Sequence, residues 1–268
     1  MTSTSLGRIS QSAMAVAVVW LVGGSMGWAQ PVTVSFSLSQ SSITIHEPVE
    51  VQFAVQNGGQ ESIHLDLGAN RMEGFAFSIT QPDGTTVQPS APGEGGLTTE
   101  GEVSVLPGQT YTQNLLLNEW YDFAKPGNYK IAVKLTASIQ TQSGSPVTAR
   151  SSQETPLTVS ARDAKRLEDV CHSLADKAIQ SPDYASAADA ALALSYVRDP
   201  VAVLSLSRVL REGTLVKEQA IAGLVRIGNH EAVRALRENE EKADPELKAQ
   251  IRAALDEIRT GVHPSADD

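Results

Sequence analysis

The spacing of apolar residues changes its period once along the chain, near residue 161, and this change constrains the fold more than any other feature. From Pro31 to about Ser160, apolar and polar residues alternate in short runs such as VTVSFSLS and VEVQFAVQN. Alternation of this kind is typical of strands with one buried face. From Ala161 onward, apolar residues recur every three or four positions, as on an amphipathic helix. The sequence therefore predicts a β half followed by an α half.

The β half reads as eight or nine short strands separated by the turn signals NGG, PDG, LPGQ, KPGN and SGSP. Strands at this spacing, with no helical pattern between them, favour an antiparallel β-sandwich, and we predict an immunoglobulin-like fold. The stretch LPGQTYTQNLLLNEWYDFAKPGNYKIAVKL is similar to Ig-like bacterial extracellular domains. That likeness concerns the fold and supplies no function.

The α half contains an internal repeat. VKEQAIAGLVRI at 216–227 aligns with LKAQIRAALDEI at 247–258, and SAADAALALSYV at 186–197 is a fainter copy. A period near 31 residues, made of two helices, predicts an α-helical solenoid, because each helix pair leaves an apolar face that only its neighbours can bury.

The segment DPVAVLSLSRVLREG, followed by VKEQAIAGLVRIGNHEAVRAL, resembles HEAT repeats of the short bacterial type. The resemblance covers residues 183–259. Proteins of that group are mostly binding scaffolds, although some relatives are lyases that act on phycobilisome pigments. The resemblance implies a protein-binding role, and a single cysteine gives the lyase branch little support.

The N-terminus has the pattern of a signal peptide. Arg8 precedes the apolar run AMAVAVVWLVGG, and Gly27 and Ala29 are spaced as at a signal-peptidase site. The apolar run is shorter than the roughly 20 residues of a membrane-spanning helix. We expect a cleaved leader at 1–29, an Ig-like domain at 30–160, a HEAT-like domain at 161–260 and a disordered tail at 261–268. The alternative is a leader retained as an anchor.

Export predicts a periplasmic or extracellular protein without membrane insertion. Without the leader the chain has 20 basic and 31 acidic residues, a net charge of −11, which disfavours binding to nucleic acid or anionic membranes. The lone Cys171 shares an apolar helix face with Leu167, Val170 and Leu174, so it is expected to be buried rather than paired with a covalent partner.

Several patterns that could carry chemistry have simpler structural interpretations. GGSMG at 23–27 matches a nucleophile-elbow motif, but it lies inside the leader. The five histidines show no metal-ligand spacing, so no metal, cofactor or catalytic residue is predicted. QPSAPGEGGLTTEGE at 88–102 could bind calcium weakly, but a mobile loop at the sandwich edge is the simpler interpretation.

The stretch LNEWYDFAKPGNYKI at 117–131 raises two interpretations. Glu119 and Asp122 beside aromatic residues could serve a glycan-acting enzyme, which needs two carboxylates across a cleft. Alternatively, Trp120 and Phe123 close the end of the sandwich, and Tyr129 ties down a corner before a late strand. We favour the structural interpretation.

The second helices of the repeats carry a strip of basic residues, called the basic strip below. In solenoids of the resembling kind such helices line the concave face, where the strip could meet an acidic partner. Pairing with Glu218, Asp256 and Glu257 on the same helices would explain the charges without a partner. The strip comprises Lys217, Arg226, Lys248, Arg252 and Arg259.

We therefore predict a non-enzymatic adaptor or scaffold that binds another protein of unknown identity through the basic strip and the sandwich loops, including Trp120 and Tyr121. A first alternative is a protease-inhibitor-like sandwich that acts through loop 88–102. A second is the glycan-acting enzyme, and a third is a purely structural envelope protein. The sequence does not indicate an oligomeric state.

Overall fold

The computed structural model describes residues 32–68, 74–89, 101–149 and 152–261. Strands fill the first part and six helices the second, so the predicted change from β to α structure is confirmed. The leader with its Ser25 motif, most of loop 88–102 and the tail from residue 262 lie outside the described residues. No helix of the described part has both the length and the apolar character needed to cross a membrane.

Eleven strands make up the β half within the described ranges. They are β1 (Val32–Leu38), β2 (Ser42–Thr44), β3 (Glu50–Asn57), β4 (Ile63–Asp66), β5 (Phe75–Thr80), β6 (Thr86–Val87), β7 (Glu102–Val105), β8 (Thr110–Leu116), β9 (Gly127–Leu135), β10 (Ile139–Thr141) and β11 (Ser152–Ser160). They pair into three sheets, with strand orders β1-β3-β8, β10-β4-β7 and β2-β11-β9-β5-β6.

The strands pair antiparallel with one exception, so the predicted antiparallel arrangement is confirmed for most of the β half. The exception is β2, which pairs parallel with β11 through Thr158↔Ser42, Val159↔Ile43 and Ser160↔Thr44. Three residues separate β1 from β2, and the two strands belong to different sheets. The chain thus changes sheet over residues 39–41, and this brings the first and last parts of the β half side by side.

The apolar residues that alternate along the strands face one common core. On β3, Val51, Phe53 and Val55 are buried, whereas the residues between them are more exposed. The Phe53 ring packs 5.4 Å from that of Phe36 and 4.9 Å from that of Phe75. Aromatic contacts between strands of two sheets add to the free energy of burying the rings themselves.

The segment before β9 is held by Tyr129. The Tyr129 hydroxyl donates a hydrogen bond of 2.8 Å to the carbonyl oxygen of Lys125, and the ring is buried 5.4 Å from that of Phe123. Gly127 has a φ of 141°, and a Cβ there would lie 2.4 Å from Pro82. The corner predicted at Tyr129 is confirmed, and the KPGN signal reflects a position with no room for a side chain.

Six helices follow the last strand: α1 (Ala164–Gln180), α2 (Tyr184–Ser195), α3 (Ala202–Glu212), α4 (Lys217–Ile227), α5 (His230–Glu240) and α6 (Pro245–Thr260). Asp163, Asp183, Asn229 and Asp244 each cap a helix N-terminus through a side-chain oxygen. Such caps satisfy backbone N–H groups that have no partner within the helix.

The helices pack in two layers. Each odd-numbered helix contacts the next odd-numbered one, each even-numbered helix contacts the next even-numbered one, and consecutive helices also touch. Gly223 allows α4 to pack tightly against α3 and the end of α2, since a Cβ at this position would lie 2.7 Å from Leu206 and 2.8 Å from the Ser195 Cα. The internal repeat of the sequence thus corresponds to successive helix pairs that share one apolar core.

Cys171 lies in that helical core with none of its surface exposed, as predicted. Burial raises the pKa of its thiol to about 12. Because the thiolate is the reactive form, the native chain should resist alkylation.

We expect Cys171 to remain unmodified by iodoacetamide at pH 8 in the native chain and to react fully after denaturation. The measurement is the mass of the intact chain after timed exposure. The matched control is the double variant C171A/H172C, which moves the thiol to the exposed neighbouring position. It should react in the native state, and equal protection of both thiols would contradict burial as the cause.

Candidate functional site

The two halves meet at the turn that follows β2, which we call the junction. His46 adopts a left-handed backbone conformation with a φ of 72°. The turn is closed by the Glu47 amide, which donates to the Thr44 carbonyl at 3.0 Å, and by the Thr44 amide, which donates to Glu47 Oε2 at 2.9 Å. These bonds fix the Glu47 carboxylate, whose side chain is 1% exposed.

Arg166, in the first turn of α1, pairs with this carboxylate in a two-point geometry. Its Nε lies 2.7 Å from Glu47 Oε2, and its Nη2 lies 3.0 Å from Oε1. Nη2 also donates to the Ser42 carbonyl at 2.7 Å. A planar guanidinium that meets both oxygens of a carboxylate fixes orientation as well as distance. This pair therefore sets the direction in which α1 leaves the β half.

A second ion pair links the same region to the turn between α2 and α3. Arg162 Nη2 lies 2.9 Å from Asp199 Oδ1, and the Asp199 side chain is 2% exposed. The same oxygen accepts the Val201 amide at 3.1 Å. The hydrogen bond from Arg162 holds the pKa of Asp199 below its ordinary value, although burial of the carboxyl acts in the opposite direction.

The link from β11 to α1 is itself bonded to the β half. Thr44 Oγ1 donates to the Ala161 carbonyl at 2.6 Å and accepts the Asp163 amide at 2.8 Å. Asp163 in turn caps α1. The two halves are therefore docked against each other, and polar contacts carry much of this docking.

A groove of about 190 Å³ runs beside the junction, between the β2–β3 region and α1. Its walls combine apolar and polar side chains from both halves: Ser39, Gln40, Ile43, Pro48, Val49, Glu50, Val170, Ser173 and Leu174. Burial raises the pKa of the Glu50 carboxyl, and nearby Lys177 partly offsets this effect. No group of three or more potential metal ligands occurs here or elsewhere in the described ranges.

The predicted aromatic site lies mainly inside the β half. Trp120 is 9% exposed, and its ring packs 4.6 Å from Phe77. Tyr121 is half-buried between Phe123 and Tyr129, and burial raises its pKa to about 12. The interpretation of this segment as the closed end of the β core is confirmed for Trp120 and Phe123. A binding role for Trp120 and Tyr121 stays a prediction, with little accessible surface at Trp120.

The two acids proposed for glycan chemistry face cations of the helical half. Asp122 Oδ2 lies 3.5 Å from Arg198 Nη1, and Glu119 contributes an attractive field at Arg226. These interactions connect both acids with cations of the helical half.

The basic strip does not form one continuous surface. Arg226 turns inward: its guanidinium lies 4.0 Å from the centre of the Tyr196 ring, its Nη1 donates to Ser195 Oγ at 3.0 Å, and burial lowers its pKa. Arg252 pairs with Glu240 of α5 at 2.6 Å rather than with an acid of its own helix. Arg259 pairs with Asp256 at 3.1 Å, one of the acids expected to neutralise the strip.

Lys217 and Lys248 complete the strip. Both lysines are half-buried. Lys217 lies at the start of α4 and Lys248 near the start of α6, and these two helices pack against each other. Of the five predicted residues, these two and the partly neutralised Arg252 and Arg259 remain candidates for an external partner. The structure assigns Arg226 to internal packing.

Sequence reasoning missed the pair that joins the halves, Glu47 and Arg166, and the pair that holds the link to the helices, Arg162 and Asp199. One signal was visible, because two arginines flank the start of α1, where the helix dipole disfavours positive charge. Cations at such a position suggest a carboxylate partner from elsewhere in the chain. The sequence alone does not identify this carboxylate, because Glu47 lies 119 residues before Arg166.

Comparison with protein families matches residues 38–161 to the family described as Flagellar collar protein C, N-terminal domain. The match spans most of the β half and somewhat less than half of the chain. No curated protein sequence matches the chain.

Three solved structures illustrate the structural comparisons. The CARDB domain of a Pyrococcus furiosus protein, in complex with two metal ions, is 13% identical with a TM-score of 0.27, over 49% of this chain and 94% of that one. The ApaA protein of Bordetella pertussis is 13% identical with a TM-score of 0.28, over 48% and 93%. The Bacillus subtilis sporulation control protein Spo0M is 14% identical with a TM-score of 0.29, over 54% and 56%. Values this low support no conclusion about function.

We expect Arg166→Ala to destabilise the chain by on the order of 3 kcal/mol, because it leaves the buried Glu47 carboxylate without its counter-ion. Urea denaturation measures the change. Arg198→Ala is the matched control, since its pair with Asp122 is exposed on both sides and should be worth less than about 1 kcal/mol. The double variant E47Q/R166A removes the buried charge but keeps an oxygen for the Thr44 amide, so it should recover much of the loss. Equal effects of R166A and R198A would contradict this account.

The lowered pKa of Asp199 predicts a loss of stability in acid. Because the folded-state pKa lies below the unfolded one, the stabilisation is fully present above the unfolded value of about 3.9 and is lost as pH falls through the folded value. Denaturation midpoints between pH 5 and pH 2.5 should therefore fall less steeply in Asp199→Asn than in the native chain. Arg162→Ala should remove the same component, and the double variant should show no further change.

Proposed function

We propose that this chain is an exported, non-enzymatic scaffold protein that holds another protein within a flagellar collar-type assembly. The observation that carries the proposal is the match of residues 38–161 to the flagellar collar protein C N-terminal domain. A collar component has a structural task, so this setting favours a scaffold over an enzyme. A periplasmic location follows from the same setting and agrees with the leader pattern at 1–29.

The junction supports the scaffold role on physical grounds. A scaffold presents two surfaces in a fixed relation, and a flexible linker would lose that relation. Here the halves are held by the Glu47–Arg166 ion pair, whose carboxylate is almost fully buried, and by the hydrogen bonds of Thr44 to the link. Arg162 of that link pairs in turn with the buried Asp199 of the helical half. Because the halves are already fixed in place, binding loses less conformational entropy than it would with a flexible linker.

The finer description of the two halves belongs to the same proposal. The hydrogen bond from Tyr129 to Lys125 corresponds to the tyrosine corner of Ig-like sandwiches. The contacts between alternate helices agree with a HEAT-like solenoid. We therefore interpret the chain as an Ig-like domain that carries a short solenoid.

The decisive experiment is to isolate flagellar basal structures from cells that carry a tagged, full-length chain. The chain should be enriched in this fraction and should be lost from the corresponding fraction of a strain that assembles no flagella. Equal recovery from both strains would overturn the flagellar assignment. Crosslinking in the native envelope, followed by mass spectrometry, then identifies the held protein.

Within this function we expect Lys217 and Lys248 to contact the partner. The variant K217E/K248E should lose crosslinks from α4 and α6 while the chain remains folded, because the two lysines are the members of the basic strip least engaged by internal acids. The matched control K134E/K242E makes the same change in charge at two other exposed lysines. Equal retention of crosslinks in both variants would contradict the assignment of this face.

A further inference from the structure

Strand β8 is the long open edge of the β half. It ends the sheet β1-β3-β8 among the described strands and has seven residues, TYTQNLL, without a charge or a proline. Proteins usually protect such edges, because unpaired backbone groups can pair with another strand. The other sheet-terminal strands are protected by different means, which makes β8 stand out.

The protection of the other edges is specific. Strands β2, β6 and β10 have only two or three residues, and β7 has four and carries Glu102. Strand β1 is as long as β8, but its Phe36 amide donates to Gln153 Oε1 at 3.1 Å from β11. Comparable protection of β8 is absent from the described residues.

The register shows which backbone groups of β8 face outward. The pairs Asn57↔Gln109 and Val49↔Leu117 share inter-strand hydrogen bonds, with the Asn57 amide donating to Gln109 and the Leu117 amide donating to Val49. In an antiparallel ladder, bonded and non-bonded pairs alternate. The odd-numbered residues of β8 therefore bond to β3. The even-numbered residues direct their N–H and C=O groups toward the open edge, and the central two are Thr112 and Asn114.

A second observation is independent of this edge. Gln113 occupies a core-facing position opposite Phe53 and is 8% exposed, yet neither its Nε2 nor its Oε1 has a hydrogen-bond partner among the residues that the structure describes. A buried amide without partners costs on the order of 1 to 3 kcal/mol for each unsatisfied group. Such a cost calls for an explanation, and a partner outside the chain provides one.

We propose that β8 is a homodimer interface, at which two copies of the chain pair their β8 strands antiparallel around Gln113. In this register the two Gln113 residues face each other as a non-hydrogen-bonded pair, in which side chains approach most closely. Each amide can then donate its N–H to the carbonyl oxygen of the other, so that both unpartnered atoms gain a bond. Thr112 lies opposite Asn114 of the second copy, and these two residues exchange backbone hydrogen bonds.

Charge does not oppose a second copy of the chain as the occupant, and the symmetric Gln113 pair is what favours it. Because residues 110–116 contain no charged side chain, self-pairing brings no like charges together, although the whole chain has a net charge of −10. The register is also self-complementary on both faces. The side chains of Tyr111 and Leu115 meet on the core side, and those of Thr112 and Asn114 meet on the solvent side. The inference does not depend on the flagellar setting.

The test is the mass of the mature full-length chain in solution, measured by sedimentation over a range of concentrations. We expect a mass twice that of the single chain. The variant T112K/N114K places lysines opposite lysines and should be monomeric, whereas T112K/N114E places Lys opposite Glu and should remain dimeric. Both changed positions are exposed, so the fold should tolerate them.

Hydrogen exchange locates the interface. The Thr112 and Asn114 amides should exchange slowly in the native dimer and rapidly in T112K/N114K, while the Tyr111 and Leu115 amides stay protected by β3 in both. A native chain that is monomeric throughout would overturn the proposal. So would a dimer whose mass is unchanged in T112K/N114K, since that dimer would use another surface.

Discussion

The burial of Glu47 is the constraint on which the arrangement of the two halves depends. A carboxylate with 1% of its side chain exposed must be paired, and the charge that pairs with it belongs to α1. Separation of the halves would leave this carboxylate facing only the turn that holds it. The docked arrangement is therefore a requirement of the β half as well as of the helices. Arg162, in the link between β11 and α1, pairs with the buried Asp199 of the helical half, so this second ion pair holds the link against the helices.

This arrangement divides the polar surface into internal and external parts. Arg198 pairs with Asp122 of the β half, whereas Arg226 packs on Tyr196 within the helical half. The lysines of α4 and α6 and the open edge of β8 remain outside these contacts. A scaffold with two external surfaces, one on each half, can hold a partner with the helices while the β half contacts a second copy of the chain. Two such copies would bind a repeated partner more tightly than one.

The sequence predicted those features that depend on local periodicity. The change of period at residue 161, the burial of Cys171 and the corner at Tyr129 follow from the residues next to them in the chain. The ion pairs of the junction could not be predicted, because each acid has many possible cations and the choice is made by packing. The prediction that Arg226 belongs to an exposed basic strip was wrong for a related reason. The helical period placed Arg226 on the right face of its helix, but that face packs against Tyr196. Gln113 left a visible signal, since it interrupts the apolar positions between Tyr111 and Leu115.

The parallel pairing of β2 with β11 has a mechanical consequence. Strand β11 continues through three residues into α1, so a force that pulls the helices away from the β half travels along β11. Its hydrogen bonds to β2 and β9 lie across that direction, and eight register pairs join β11 to β9 alone. Bonds in this geometry are loaded together in shear rather than opened one after another. The chain is thus built to resist tension along the axis that joins its two halves.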